Sequence, residues 1–121
     1  QSEVERIFGN WQAVSGVLAG KAMPDEIVAA TKLTISENRY SVNLAGTIDS
    51  GCCVIQDDTY PIKMKLDGNH GPNSGKTFFA ILEWLSVDEI RIAYDLSGSD
   101  YPNTFEPTSQ PTSYVATFKS C

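Results

Sequence analysis

Histidine occurs once in this chain, as His70, and cysteine three times, as Cys52, Cys53 and Cys121. One histidine excludes any site built on two imidazoles, which removes the common zinc geometries, and no other metal constellation stands out. It leaves a catalytic dyad only where Cys52, Cys53 or a serine meets it in space. Three cysteines are too few for a disulfide-stapled scaffold. Cys52 and Cys53 are neighbours on an expected strand, where successive side chains point to opposite faces, so they do not pair with each other. Either one of them bridges Cys121, or all three stay reduced and one or two pack as small apolar residues. Basic residues are also scarce, nine Lys and Arg against fifteen Asp and Glu, for a formal net charge of -6. A chain of that sign repels a nucleic-acid backbone, and no nucleic-acid partner is expected. No apolar run approaches the roughly 20 residues that cross a bilayer, and no basic amphipathic stretch is present to lie on one. A soluble domain is expected. No charged and apolar leader follows Gln1, so any targeting segment is expected to have been removed, which leaves the compartment open.

What the sequence has is alternation. Its 121 residues, 41% hydrophobic and 20% charged, suit one domain with one core. Tyr60, Ile62, Met64 and Leu66 fall on one face of an extended run while Lys63 and Lys65 fall on the other. The same two-residue period sets Leu33 and Ile35 against Lys32 and Thr34, and Tyr40, Val42 and Leu44 against Ser41 and Asn43. It returns with Ile90, Ile92, Tyr94 and Leu96 against Arg91 and Asp95, and with Tyr114, Ala116 and Phe118 against Thr117 and Lys119. Less regular runs at 10–18, 48–55 and 77–85 bring the count to about eight strands. Polar turns at 36–39 and 86–89 and short links at 45–47 and 56–59 favour an up-and-down order. One short helix is expected over 24–30, between the first two strands, with Pro24, Asp25 and Glu26 in its first turn. Strands with one apolar face each bury it best by closing on themselves, so the fold expected is an all-β antiparallel barrel.

Some stretches carry more than a period. Gly9-Asn10-Trp11 opens the first strand and Gly20-Lys21 closes it; Lys32 to Ile35 with Arg39 to Val42 form the next hairpin; Pro61 to Leu66 leads into Gly71 to Thr77. Across nearly its whole length the chain resembles a family of bacterial lipocalin-like domains, best known from planctomycetes, that has no assigned activity. The resemblance implies an eight-stranded lipocalin-like barrel, one end of which is closed by Gly9, Trp11 and a basic residue of the last strand, here Lys119. It also implies, by analogy with better-known lipocalins, a small hydrophobic ligand in the barrel. The chain departs from that family at Ala93, where a cysteine is usual, and at Tyr101-Pro102, where Arg-Pro is usual.

Several motifs fail as chemistry. His70 to Thr77 ends in the Gly-Lys-Thr of a phosphate-binding loop, and Ile90 to Asp95 imitates its magnesium-binding strand. Yet the position that needs glycine is His70, and no strand and helix alternation surrounds it. His70 itself reads as a loop-tip residue with no partner to orient it as a base. Asp57-Asp58 and the expected turn Asp67-Gly68-Asn69 lack the spacing of a calcium loop. Glu83 projects into the barrel if Phe79, Ile81 and Leu85 face inward, and is a surface acid if Phe78, Ala80, Leu82 and Trp84 do; the second is favoured. The Gly-, Ser- and Pro-rich segment 97–111 is expected to fold over one barrel end, where Tyr101 and Phe105 either contact a ligand or plug the barrel; plugging is favoured.

No nucleophile, base and orienting group come together on paper, so no catalytic residue, enzyme activity or cofactor is expected. The reading this leaves is a module binding a small hydrophobic molecule, with Tyr40, Ile62, Met64, Ile92 and Tyr94 as the barrel lining. The alternative is a filled barrel serving as a structural or protein-interaction domain, its protein partner unspecified.

Overall fold

The computed structural model describes residues 3–58 and 60–121; Gln1, Ser2 and Thr59 lie outside the described residues. Eight antiparallel strands close into a barrel: β1 (Gly9–Leu18), β3 (Thr31–Ser36), β4 (Arg39–Leu44), β5 (Thr47–Gln56), β6 (Ile62–His70), β7 (Thr77–Ser86), β8 (Glu89–Asp95) and β9 (Ser113–Ser120). Each pairs with the next, and β9 returns to pair with β1 from Trp11–Ser120 to Leu18–Tyr114. A two-residue strand β2 (Lys21–Ala22) adds to the edge of β1. Helix α2 (Asp25–Ala29) sits where a helix was expected. The short helix α1 (Glu3–Ile7) and strand β2 are additions that no sequence period announced.

The turns follow local chemistry. Ala45 and Gly46 join β4 to β5 with positive φ angles of 52° and 97°, the pair of left-handed conformations that a two-residue hairpin turn needs. Asn38 takes φ 66° in the β3–β4 turn, where its short amide tolerates the strain. Where the alternation faltered on paper, the strands bulge. Register shifts between Ala13 and Ser15 on β1, so Trp11 and Ala13 face inward before the bulge and Gly16 after it. A second bulge sets Ser50 opposite His70 and Gly51 opposite Gly68, leaving Asn69 unpaired between them. Asp67-Gly68-Asn69 is therefore strand, not turn, and His70 is the exposed last residue of β6, not a loop tip. Tyr60 does not join the inward face of β6, because the strand starts only after Pro61; it is exposed, and its hydroxyl accepts a hydrogen bond from Trp84 N.

The main core fills the barrel's lower half with Ile7, Trp11, Ile35, Ile62, Met64, Leu82, Ile90, Ile92 and Phe118, all buried. Here Trp11 Nε1 donates to the Ile7 carbonyl at 2.8 Å, and its ring meets Trp84 at 6.2 Å, tilted by 59°. The cation that caps this end is Arg6, 4.5 Å above the Trp84 ring. Lys119 does not fill that role. Phe118 points inward, so its neighbour points out, exposed and opposite Gln12. Turn 37–38 belongs to this closed end as well.

A second, smaller core lies outside the barrel. Ile81, Ala93 and Val115 on the outer faces of β7, β8 and β9 are covered by Tyr101 and Phe105. Segment 97–111 is thus a strap on the barrel wall and does not plug an end; the outward apolar residues of three adjacent strands needed cover, and a barrel end did not. Tyr101 packs edge-on to Phe79 at 4.9 Å, with Lys63 Nζ 5.1 Å from its ring.

Candidate functional site

The half of the barrel away from Trp11 is not filled. A cavity of about 190 Å³ opens there, walled by Leu18, Met23, Val42, Leu44, Leu66, Phe78, Leu96 and Phe118, with Thr31, Tyr40, Asp49, Asn73, Tyr94 and Tyr114 supplying polar groups. Gly16 lies under the Tyr114 ring, 3.4 Å from where its Cβ would stand, and as close to the Met23 sulfur, so a methyl there would just touch both and only a longer side chain would displace them.

The rim is fastened on one side. Asp49 points inward from β5 and accepts two hydrogen bonds from Asn73, one from the backbone N–H and one from Nδ2, both at 3.0 Å. This holds the 71–76 loop against the mouth. Gly71, at φ 93°, permits the approach, since a side chain there would run into the Ile48 carbonyl and the Asp49 carboxylate. The Gly-Lys-Thr sequence therefore closes a hairpin loop folded on itself, with Gly75 N–H bonded to the Gly68 carbonyl and Gly68 N–H to that of Lys76. It leads into an antiparallel strand and no helix follows, so the amide cradle of a nucleotide site is not formed. Asp95, its imitation metal ligand, accepts hydrogen bonds from Ser97 and Asp100 at the start of the strap. Burial works to raise this carboxyl, but those bonds outweigh it and hold it below the ordinary value.

Of the five residues expected to line the barrel, Tyr40 and Tyr94 reach the cavity. Ile62, Met64 and Ile92 share the inward face but lie in the packed half beneath, with 0%, 1% and 0% exposure. They form its support and not its wall. Tyr114, Phe78 and Asp49 belong to the site and were not singled out by sequence. Gly9 opens β1 at φ 133°, opposite Ile35. Glu83 faces outward and pairs with Arg91 at 3.2 Å. All three cysteines are free, Cys53 buried and Cys52 and Cys121 exposed. Among the described residues no group of His, Cys, Asp and Glu is placed to hold a metal. No described helix is long and apolar enough to cross a membrane.

The electrostatics of the cavity favour neutral groups. Burial raises the Tyr94 hydroxyl far above its ordinary value, with Tyr114, Cys53 and Tyr40 adding to the effect. Burial likewise raises Tyr114, and raises Tyr40 with help from Asp49 and Asp67. The Cys53 thiol is pushed up to about 11, by burial and then by Cys52. Each of these groups keeps its proton in the fold at pH values where the unfolded chain has begun to lose it. The folded state then binds more protons, so stability is complete below about pH 9 and falls as pH rises through the folded values. Urea unfolding followed by tryptophan fluorescence between pH 7 and 11 is expected to show a midpoint that is level to about pH 9 and lower at 11; a level midpoint throughout would contradict these burials.

Against protein-family models, curated proteins and solved structures, the chain finds no match.

Proposed function

We propose that the chain is a binding module, lipocalin-like in use as well as in outline, that takes a small hydrophobic molecule into the open end of its barrel. The observation that carries this reading is the asymmetry of filling: one half is packed around Trp11, and the other keeps a largely apolar cavity with several convergent polar groups. The apolar walls of this open cavity face solvent, and a hydrophobic ligand that covers them removes that surface from water. The resemblance of the Gly9-Asn10-Trp11 strand to lipocalin-like domains supports the same assignment. A filled structural barrel accounts for the lower half alone and gives the open half no role.

Native mass spectrometry of gently purified protein is expected to show an added small-molecule mass. A panel of small apolar compounds is expected to raise Tm by about 5 °C or more when present a hundredfold above the dissociation constant. Val42→Phe, which narrows the cavity from a half-buried position, is expected to abolish both responses; Leu44→Trp at the rim provides a second such variant. A clean unliganded mass with no response to the panel overturns the proposal.

A further inference from the structure

The cavity's size, aromatic content and charge together restrict what it can hold. Pockets for drug-sized ligands run from about 300 Å³ upward, while an apolar cavity of about 150 Å³ accommodates a single benzene ring. At about 190 Å³ the present cavity encloses one ring and a short substituent, whereas most of a long acyl chain would run out through the mouth into water. Its walls suit a ring. Tyr94 and Tyr114 stack at 5.2 Å with 24° between their planes, and Phe78 and Phe118 face the same space.

The polar groups differ in availability. Thr31 is used, its hydroxyl donating to the Ile27 carbonyl at 2.6 Å, and Asp49 and Asn73 are used on each other. No such partner exists for the hydroxyls of Tyr40, Tyr94 and Tyr114 among the described residues, although all three line the cavity. These hydroxyls are not sealed off in the wall, so each stays open to a ligand's polar atom, and a hydrogen bond made there away from bulk water adds to affinity. Charge then narrows the choice. No Lys, Arg or His stands among the described lining residues, and the acid at the rim is Asp49. A ligand carboxylate would lose its hydration, find no cation, and meet a like charge.

We propose that the ligand is an uncharged single-ring molecule bearing one hydroxyl or carbonyl group, its ring against the Tyr94–Tyr114 pair and its polar atom hydrogen-bonded to one of the free tyrosine hydroxyls. This rests on the binding reading above and adds the chemical class.

The test is titration of the full chain, by calorimetry or ligand-observed NMR, with p-cresol, toluene, p-toluate and decanoate. The first is expected to bind about tenfold more tightly than toluene, from one hydrogen bond, and p-toluate and decanoate more weakly than toluene. Tyr40→Phe, Tyr94→Phe and Tyr114→Phe each keep the ring and remove the hydroxyl. One of the three is expected to reduce p-cresol to the affinity of toluene while leaving toluene unchanged, which a merely structural change would not do. Equal affinity for p-cresol and toluene, retention of the p-cresol preference in all three variants, or tighter binding of p-toluate or decanoate overturns the ligand class and leaves the binding reading standing. Failure of all four probes to bind overturns both.

Discussion

Trp11→Ala is expected to lower the unfolding free energy by about 3–5 kcal/mol, the usual cost of deleting a large buried aromatic. Three losses coincide at this position. The indole is 3% exposed, so its transfer energy is lost nearly in full and a void remains beneath Trp84. Its Nε1 bond to the Ile7 carbonyl ties α1 to the barrel, and without that donor the carbonyl is left unpaired in a buried place. Arg6 and Ile7 then lose their seat, and with them the cover of the closed end. For a domain of this size, whose whole stability is about 5–15 kcal/mol, the change takes a large share. Urea unfolding by circular dichroism measures it; a loss under about 1 kcal/mol would mean that the closed end is not held by Trp11.

Gly51→Ala is expected to cost at least about 3 kcal/mol, more than the usual penalty of one added methyl, because what it meets is backbone. A Cβ at this position would be driven into the Asp67 carbonyl and would crowd Asn69 N, 3.0 Å away. Neither can swing aside as a side-chain tip would. Gly51 faces Gly68 across the β5–β6 bulge, and a Cβ on Gly68 would strike the Asn73 carbonyl of the mouth loop. The two glycines let both strands bend at once and bring that loop back over the opening. Alanine at 51 is therefore expected to lower Tm and to raise amide exchange first in β5, β6 and residues 71–76. An unchanged exchange pattern there would show that the bulge is not under this constraint.

The closed barrel is legible because β3, β4, β6, β8 and β9 alternate apolar and polar residues, with Ala93 and Val115 as apolar exceptions on the outer face, and short polar turns fix their order. The lapses were local. β1 and β5 looked irregular because bulges at Ala13/Ser15 and Ser50/Gly51 reset the side-chain period partway along. α1 is a five-residue helix, too short to display a period of its own. Lys119 differs in kind: the alternation that turns Phe118 inward also turns Lys119 outward, so the closing role that the resemblance implies for it conflicts with a pattern visible in the residues. For the site, period tells which face is inward but not how far along the barrel a residue sits. Ile62 and Tyr94 are both inward, yet β6 begins at the closed end and β8 finishes at the open one, and only that difference in height separates support from wall. The strap stayed hidden because an apolar outer face on β7 to β9 needs register between three strands, which no single run displays.

The seam between β1 and β9 joins strands from opposite ends of the described chain, Trp11 against Ser120. Its pairing requires closure of nearly the longest loop the chain can make, and every other ladder joins strands close in sequence. High contact order of this kind slows folding. Until β9 arrives, the growing meander has two bare edges, one on β1 and one on β8, each a row of unpaired amides and carbonyls open to a neighbouring chain. The native cylinder offers no such row along that seam, so its greatest hazard of association lies in the interval before the last strand docks.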